Sequence, residues 1–108
     1  MIDTALPKIL PSADVRDFLQ RHRAESDFDK VCMIARECYP HLVDMTCRLR
    51  DDPDVANRDW CVIEITLPLI ENVEKRAARW HDYHNRVVAE VPSELVPLFA
   101  LSEKYQQA

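Results

Sequence analysis

Glycine is absent from this chain of 108 residues, where average usage of about 7% would supply roughly seven or eight. Glycine is the residue that enters positive φ without strain and lets backbone press against a ligand. Three families of site are therefore excluded. The phosphate-cradling loop G-x-x-x-x-G-K-[ST], the dinucleotide turn G-x-G-x-x-G and the nucleophile elbow G-x-S-x-G all need it. Turns and helix ends must be made by other means. Proline supplies the punctuation: Pro11, Pro40, Pro53, Pro68 and Pro92 fall between periodic segments. Each fixes φ, removes a donor and disfavours helix in the residue before it.

Length and composition fit one globular domain over residues 1–108, with a loosely ordered lead over residues 1–11. The net charge is −5. Residues 1–54 carry eight Lys/Arg against eleven Asp/Glu, and residues 55–108 carry six against eight. Neither half is basic, so nucleic acid is not an expected partner, because phosphate binding needs a clustered cationic face. The start of the chain lacks a cationic lead into an apolar run, and no segment reaches the ~20 apolar residues of a membrane span. The expectation is a soluble cytoplasmic protein with no membrane partner. Cys32, Cys38, Cys47 and Cys61 then read as reduced thiols.

Ser12 is a plausible N-cap for a first helix with Val15, Phe18, Leu19 and His22 on one face. Ser26 and Asp29 approximate a capping box for a second, whose stripe runs Phe28, Val31, Cys32, Ala35, Cys38, Tyr39 to Pro40. Two helices broken near Ala24 to Ser26 are favoured over one bent helix. Residues 42–50 change period from 3.6 to 2: Val43, Met45, Cys47 and Leu49 alternate with polar neighbours. Asp51-Asp52-Pro53-Asp54 must turn. Residues 60–67 alternate again, with Cys61, Ile63, Ile65 and Leu67 on one face and Trp60, Val62, Glu64 and Thr66 on the other. Two strands joined by a short loop pair antiparallel.

The clearest helix follows Pro68. Val73, Ala77, Trp80, His84, Val87 and Val91 form a continuous seam. Glu71 and Glu74 sit near its positive end, and Lys75, Arg79, Asp82 and Arg86 lie opposite the seam, toward water. Ser93 to Val96 suggest one further turn, and Phe99, Leu101, Glu103 and Tyr105 alternate as an edge strand. The expected fold is α+β, order α-α-β-β-α-β: two layers, a small antiparallel sheet of about three strands with helices on one face. The face of Cys47, Ile63 and Ile65 should meet the seam of Trp80. Trp80→Ala would then destabilise by about 3–5 kcal/mol.

The cysteines and histidines are the first candidates for chemistry. Cys47 and Cys61 lie on facing strands, and His81 and His84, at i and i+3, could jointly ligate an ion. The spacings do not match C-x₂₋₄-C or H-x₃₋₅-H pairs, so no metal is assigned and no cofactor is implied. Thiols among Val, Met, Ile and Leu read as packed hydrophobes rather than nucleophiles. The text Trp80-His81-Asp82-Tyr83-His84 disperses around a helix and does not converge. Arg48, Arg50 and Arg58 are interleaved with Asp51, Asp52, Asp54 and Asp59, which neutralise them locally. Trp60 and Val62, on the sheet face away from the helices, are the candidate interface.

Asp27-Phe28-Asp29-Lys30-Val31-Cys32, the strand ending Asp51-Asp52-Pro53, the strand from Trp60, and the helix from Val73-Glu74 through Arg79-Trp80-His81 carry a resemblance. Over roughly residues 26–105 the chain resembles a loose set of small uncharacterised bacterial α+β proteins of unknown function. That resemblance implies a compact domain and supplies no catalytic residue. The functional expectation is a small non-enzymatic protein acting through protein–protein contact, self-associating as a homodimer. The alternatives are a metal-binding protein or enzyme using Cys47, Cys61, His81 and His84, and an antitoxin-like partner of another protein.

Overall fold

The computed structural model describes residues 11–55, 58–68 and 72–106. The expected lead over residues 1–11, except Pro11, and the helix-start residue Glu71 lie outside the described residues. Helix α1 spans Ala13–His22 and α2 spans Glu25–Cys38; strand β1 spans Asp44–Asp51 and β2 spans Asp59–Leu67. Helix α3 spans Val73–Glu90, a 3₁₀ turn covers Val96–Leu98, and strand β3 spans Phe99–Tyr105. The order is the expected α-α-β-β-α-β.

The missing glycine is felt between the first two helices. Arg23 stands at φ 53°, ψ 45°, the left-handed position where helices usually place glycine. Arg23 N–H donates to Gln20 O at 3.2 Å, and Ala24 N–H donates to Leu19 O at 2.9 Å. These are the two bonds of a Schellman motif, with buried Ala24 packed over buried Leu19. They hold an arginine where its Cβ is unfavourable by about 1–2 kcal/mol. The second helix therefore starts at Glu25, one residue ahead of the expected Ser26 cap.

The sheet order is β1-β2-β3. β1 and β2 form the expected antiparallel hairpin, with Cys47 opposite Ile63 and Leu49 opposite Cys61. β3 pairs with β2 in parallel, Ile63 opposite Leu101, so the sheet is mixed rather than wholly antiparallel. The reason is the connection. α3 carries the chain back along the sheet, and a strand that returns after such a crossover runs parallel to the one before it. Met45, Cys47, Leu49, Cys61, Ile63, Ile65, Leu67, Phe99 and Leu101 line one face and join Phe18, Phe28, Val31, Ile34 and Ala35 of the helices in one core.

α3 corrects the expected packing. Its buried residues are Tyr83 and Val87, followed by Val91. Trp80 is 40% exposed and Val73 76% exposed, and Ala77 and His84 are exposed too. The helix is rotated so that Arg79 and Arg86, expected in water, become half-buried, as does Arg76. Arg79 Nη1 donates to Cys38 O at 3.1 Å, and Arg86 Nη1 meets Glu37 Oε1 at 2.6 Å. A cation against the last carbonyls of α2 is favourable for its dipole and its unpaired C=O groups. Long arginine stems also cover apolar surface while their heads stay polar. Those contacts turn Tyr83, and not Trp80, into the core.

Candidate functional site

Strand alternation puts Glu103 on the inner face of β3, in phase with Phe99, Leu101 and Tyr105. A carboxylate there is unfavourable unless hydrogen-bonded. Glu103, its side chain 14% exposed, is met from three elements. Tyr39, the buried C-cap of α2, donates its phenol to Oε2 at 2.6 Å. Tyr105 donates to Oε1 at 2.8 Å, and Arg76 Nη2 of α3 stands 3.9 Å from Oε1. The Arg76 guanidinium lies 5.2 Å from the centre of the Tyr105 ring.

Burial, and then the adjoining Glu103 carboxylate, push the Tyr39 and Tyr105 phenols above the ordinary tyrosine range. Both phenols therefore stay protonated and stay donors. The group is a clasp that fastens the end of α2, β3 and the first turns of α3 together. Tyr39→Phe removes one donor from a largely buried carboxylate. The expected loss is about 1.5–3 kcal/mol, measured as a lower urea midpoint; an unchanged midpoint would show that the clasp holds nothing.

Above the clasp is an open cleft of about 390 Å³, lined by Val73, Arg76, Ala77, Trp80 and His81 of α3 and by Glu103 of β3. Its helix wall belongs to a longer apolar line: Val73, Ala77, Trp80, His84 and Val88, spaced 4, 3, 4 and 4. Val88 is 65% exposed. These residues share one helix face. Trp80 and His84 pack with ring centres 4.3 Å apart and planes tilted by 44°, and His84 Nδ1 hydrogen-bonds Trp80 O at 3.1 Å. The stripe is therefore ordered as well as apolar.

The expected candidates are distributed as follows. Cys47 and Cys61 are brought together: both face the core on adjacent strands, diagonal to one another, and their thiols hydrogen-bond. That bond holds Cys47 below the usual thiol range and, with burial, raises Cys61. His84 does not join them; it lies exposed on α3. His81 is exposed at the cleft mouth. Among the described residues no group of three His, Cys, Asp or Glu is placed to hold a metal ion. Trp60 and Val62 do lie on the face away from the core, but Val62 is only 7% exposed and Trp60 is half-buried. Arg48, opposite Val62, pairs across that face with Glu64 at 3.7 Å.

The clasp was not foreseen, although one signal for it stood in the sequence. Glu103 occupies an apolar phase of a strand, and an inward carboxylate demands donors. No protein-family model matches this chain, and no curated protein or solved structure is significantly similar to it. No helix among the described residues is long and apolar enough to cross a membrane.

Proposed function

We propose that this protein works by protein–protein contact through the exposed stripe of α3, and that a second copy of the chain is what it binds. One observation carries the reading. α3 buries one face against α2 and the core while presenting a second apolar face to solvent. Of the six large hydrophobic residues exposed among those described, the two most exposed, Val73 and Val88, lie on that one line with Trp80 between them. A contiguous, ordered apolar line of this kind is an interaction surface.

Two features favour a second copy as the occupant. The line is nearly self-complementary: reversed about the midpoint between residues 80 and 81, Val73 falls on Val88 and Ala77 on His84, while Trp80 falls on His81, just beside the line. That is what an isologous two-fold contact requires. The line also bears no acidic, Lys or Arg side chain. Two copies of a chain of net charge −5 can therefore meet there without opposing fixed charges.

Sedimentation velocity over a wide concentration range tests it. The expected result is a reversible species of twice the single-chain mass. The double variant Val73→Glu, Val88→Glu changes only exposed positions, so it should melt like the parent and stay monomeric at every concentration. A parent that is monomeric throughout overturns the proposal, and so does a variant that dimerises equally well.

A further inference from the structure

We infer that the second copy joins along β3, antiparallel and edge to edge, so that two three-stranded sheets become one of six with the two α3 helices meeting above the seam. The inference rests on the self-association proposed above and adds the strand, the register and the amides involved.

β3 ends the sheet order β1-β2-β3. Gln106 N–H donates to Leu67 O at 2.9 Å. By the alternation of a parallel ladder, residues 100, 102 and 104 then turn N–H and C=O toward β2. Residues 99, 101, 103 and 105 turn theirs to the open side. Phe99 N–H is taken by Val96 O, which leaves the amides of Leu101 and Glu103 as central donors of an edge that no strand pairs among the described residues. Such an edge is a template for another strand. The stripe stands directly over it, since one cleft is walled by Val73, Ala77 and Trp80 and floored by Glu103. A strand added to β3 would lie beneath the part of α3 that has no cover.

In the proposed register the two symmetric features are placed at one level. Arg76 reaches Glu103, which sets the level of α3 against β3. From residue 76 to the stripe midpoint the helix rises about 7 Å. At about 3.3 Å per residue that is roughly two residues back along β3, at Leu101. A two-fold axis there puts Leu101 opposite Leu101 of the second copy, Ser102 opposite Ala100 and Glu103 opposite Phe99. Lys104 faces Leu98, and Tyr105 faces Pro97, whose missing N–H ends the ladder. No charge meets its like; moving the axis to residue 103 would set Glu103 against Glu103. The joined face is about 25 Å long by 20 Å high. That is about 500 Å² per partner, at the small end of specific interfaces and in keeping with a reversible dimer.

Residue-resolved amide hydrogen exchange, at concentrations below and above the dimerisation midpoint found by sedimentation, decides it. The expected result is slowing of Leu101 and Glu103 amide exchange by at least about tenfold in the concentrated sample. Neither amide should slow in the Val73→Glu, Val88→Glu variant. Dimerisation with both amides still exchanging freely overturns the edge pairing and leaves the α3 contact standing. Protection appearing instead at Met45 and Cys47, on the opposite edge, overturns it too. A chain that is monomeric at every concentration removes the reading on which the inference rests.

Discussion

Tyr83→Ala is expected to lower stability by about 3–5 kcal/mol, as removal of a fully buried aromatic does, whereas Trp80→Ala should stay below about 1 kcal/mol. Tyr83 is 3% exposed and lies between α2 and the sheet. Its phenol is pushed above the ordinary range, first by burial and then by the nearby Cys32, Cys38 and Cys61 thiols. Deleting its ring leaves a cavity bounded by rigid secondary structure, which relaxes only in part. Trp80 has solvent on one side and His84 on the other, so its loss opens no void. The pair of substitutions reads the rotation of α3 directly. Urea midpoints for both variants, with the parent, are sufficient. If Trp80→Ala proves the more damaging, α3 is turned the other way and the exposed stripe does not exist.

Stability is expected to fall steeply in alkali. Burial pushes Cys32 up to about 12 and raises Tyr83; burial with the Glu103 contact raises Tyr39, and the Cys47 hydrogen bond with burial raises Cys61. In each case the folded protein favours the protonated, neutral form. Such a group contributes stability that is complete below its unfolded pKa and is lost as pH climbs toward the folded one. Unfolded thiols titrate near 8.5 and phenols near 10, and each group still protonated only in the folded state gives a slope of about −1.4 kcal/mol per pH unit. Loss therefore begins with Cys32 and Cys61 above about pH 8.5 and steepens above about pH 10, where four groups together remove about 5 kcal/mol per unit. Cys47, held low by Cys61, acts with the opposite sign, but its contribution is complete by about pH 8.5 and does not offset the loss above it. Urea midpoints at steps from neutral to about pH 10.5 measure this. A flat profile would mean that these thiols and phenols reach water in the folded state.

Much of the local structure was readable because it depends on neighbours in sequence. The change of period at residue 42, the Asp51-Asp52-Pro53-Asp54 turn and the alternation after Phe99 each located an element that the structure contains. The phase of α3 was not readable. Val87 and Val91 belong equally to the line through Trp80 and to the line through Tyr83, so the pattern admits two orientations that differ by about 60° of rotation about the helix axis. Arginines counted as water-facing broke the tie. Arg79 and Arg86 reached the end of α2, a destination that no helical periodicity encodes. The clasp was hidden for a similar reason: Tyr39, Arg76 and Glu103 come from three elements far apart in the chain, and only Glu103 stood out of pattern.

By itself the sequence determined the element types, the hairpin with its register faces, and the exclusion of glycine-dependent phosphate and nucleophile loops, because all three follow from residue types over short distances. Tertiary structure decided which side of α3 is inside, the parallel course of β3 and the meeting of a carboxylate with two phenols and a guanidinium. Those outcomes come from competition between long-range contacts for the same surfaces. In that competition Tyr83 was buried and Trp80 left facing solvent.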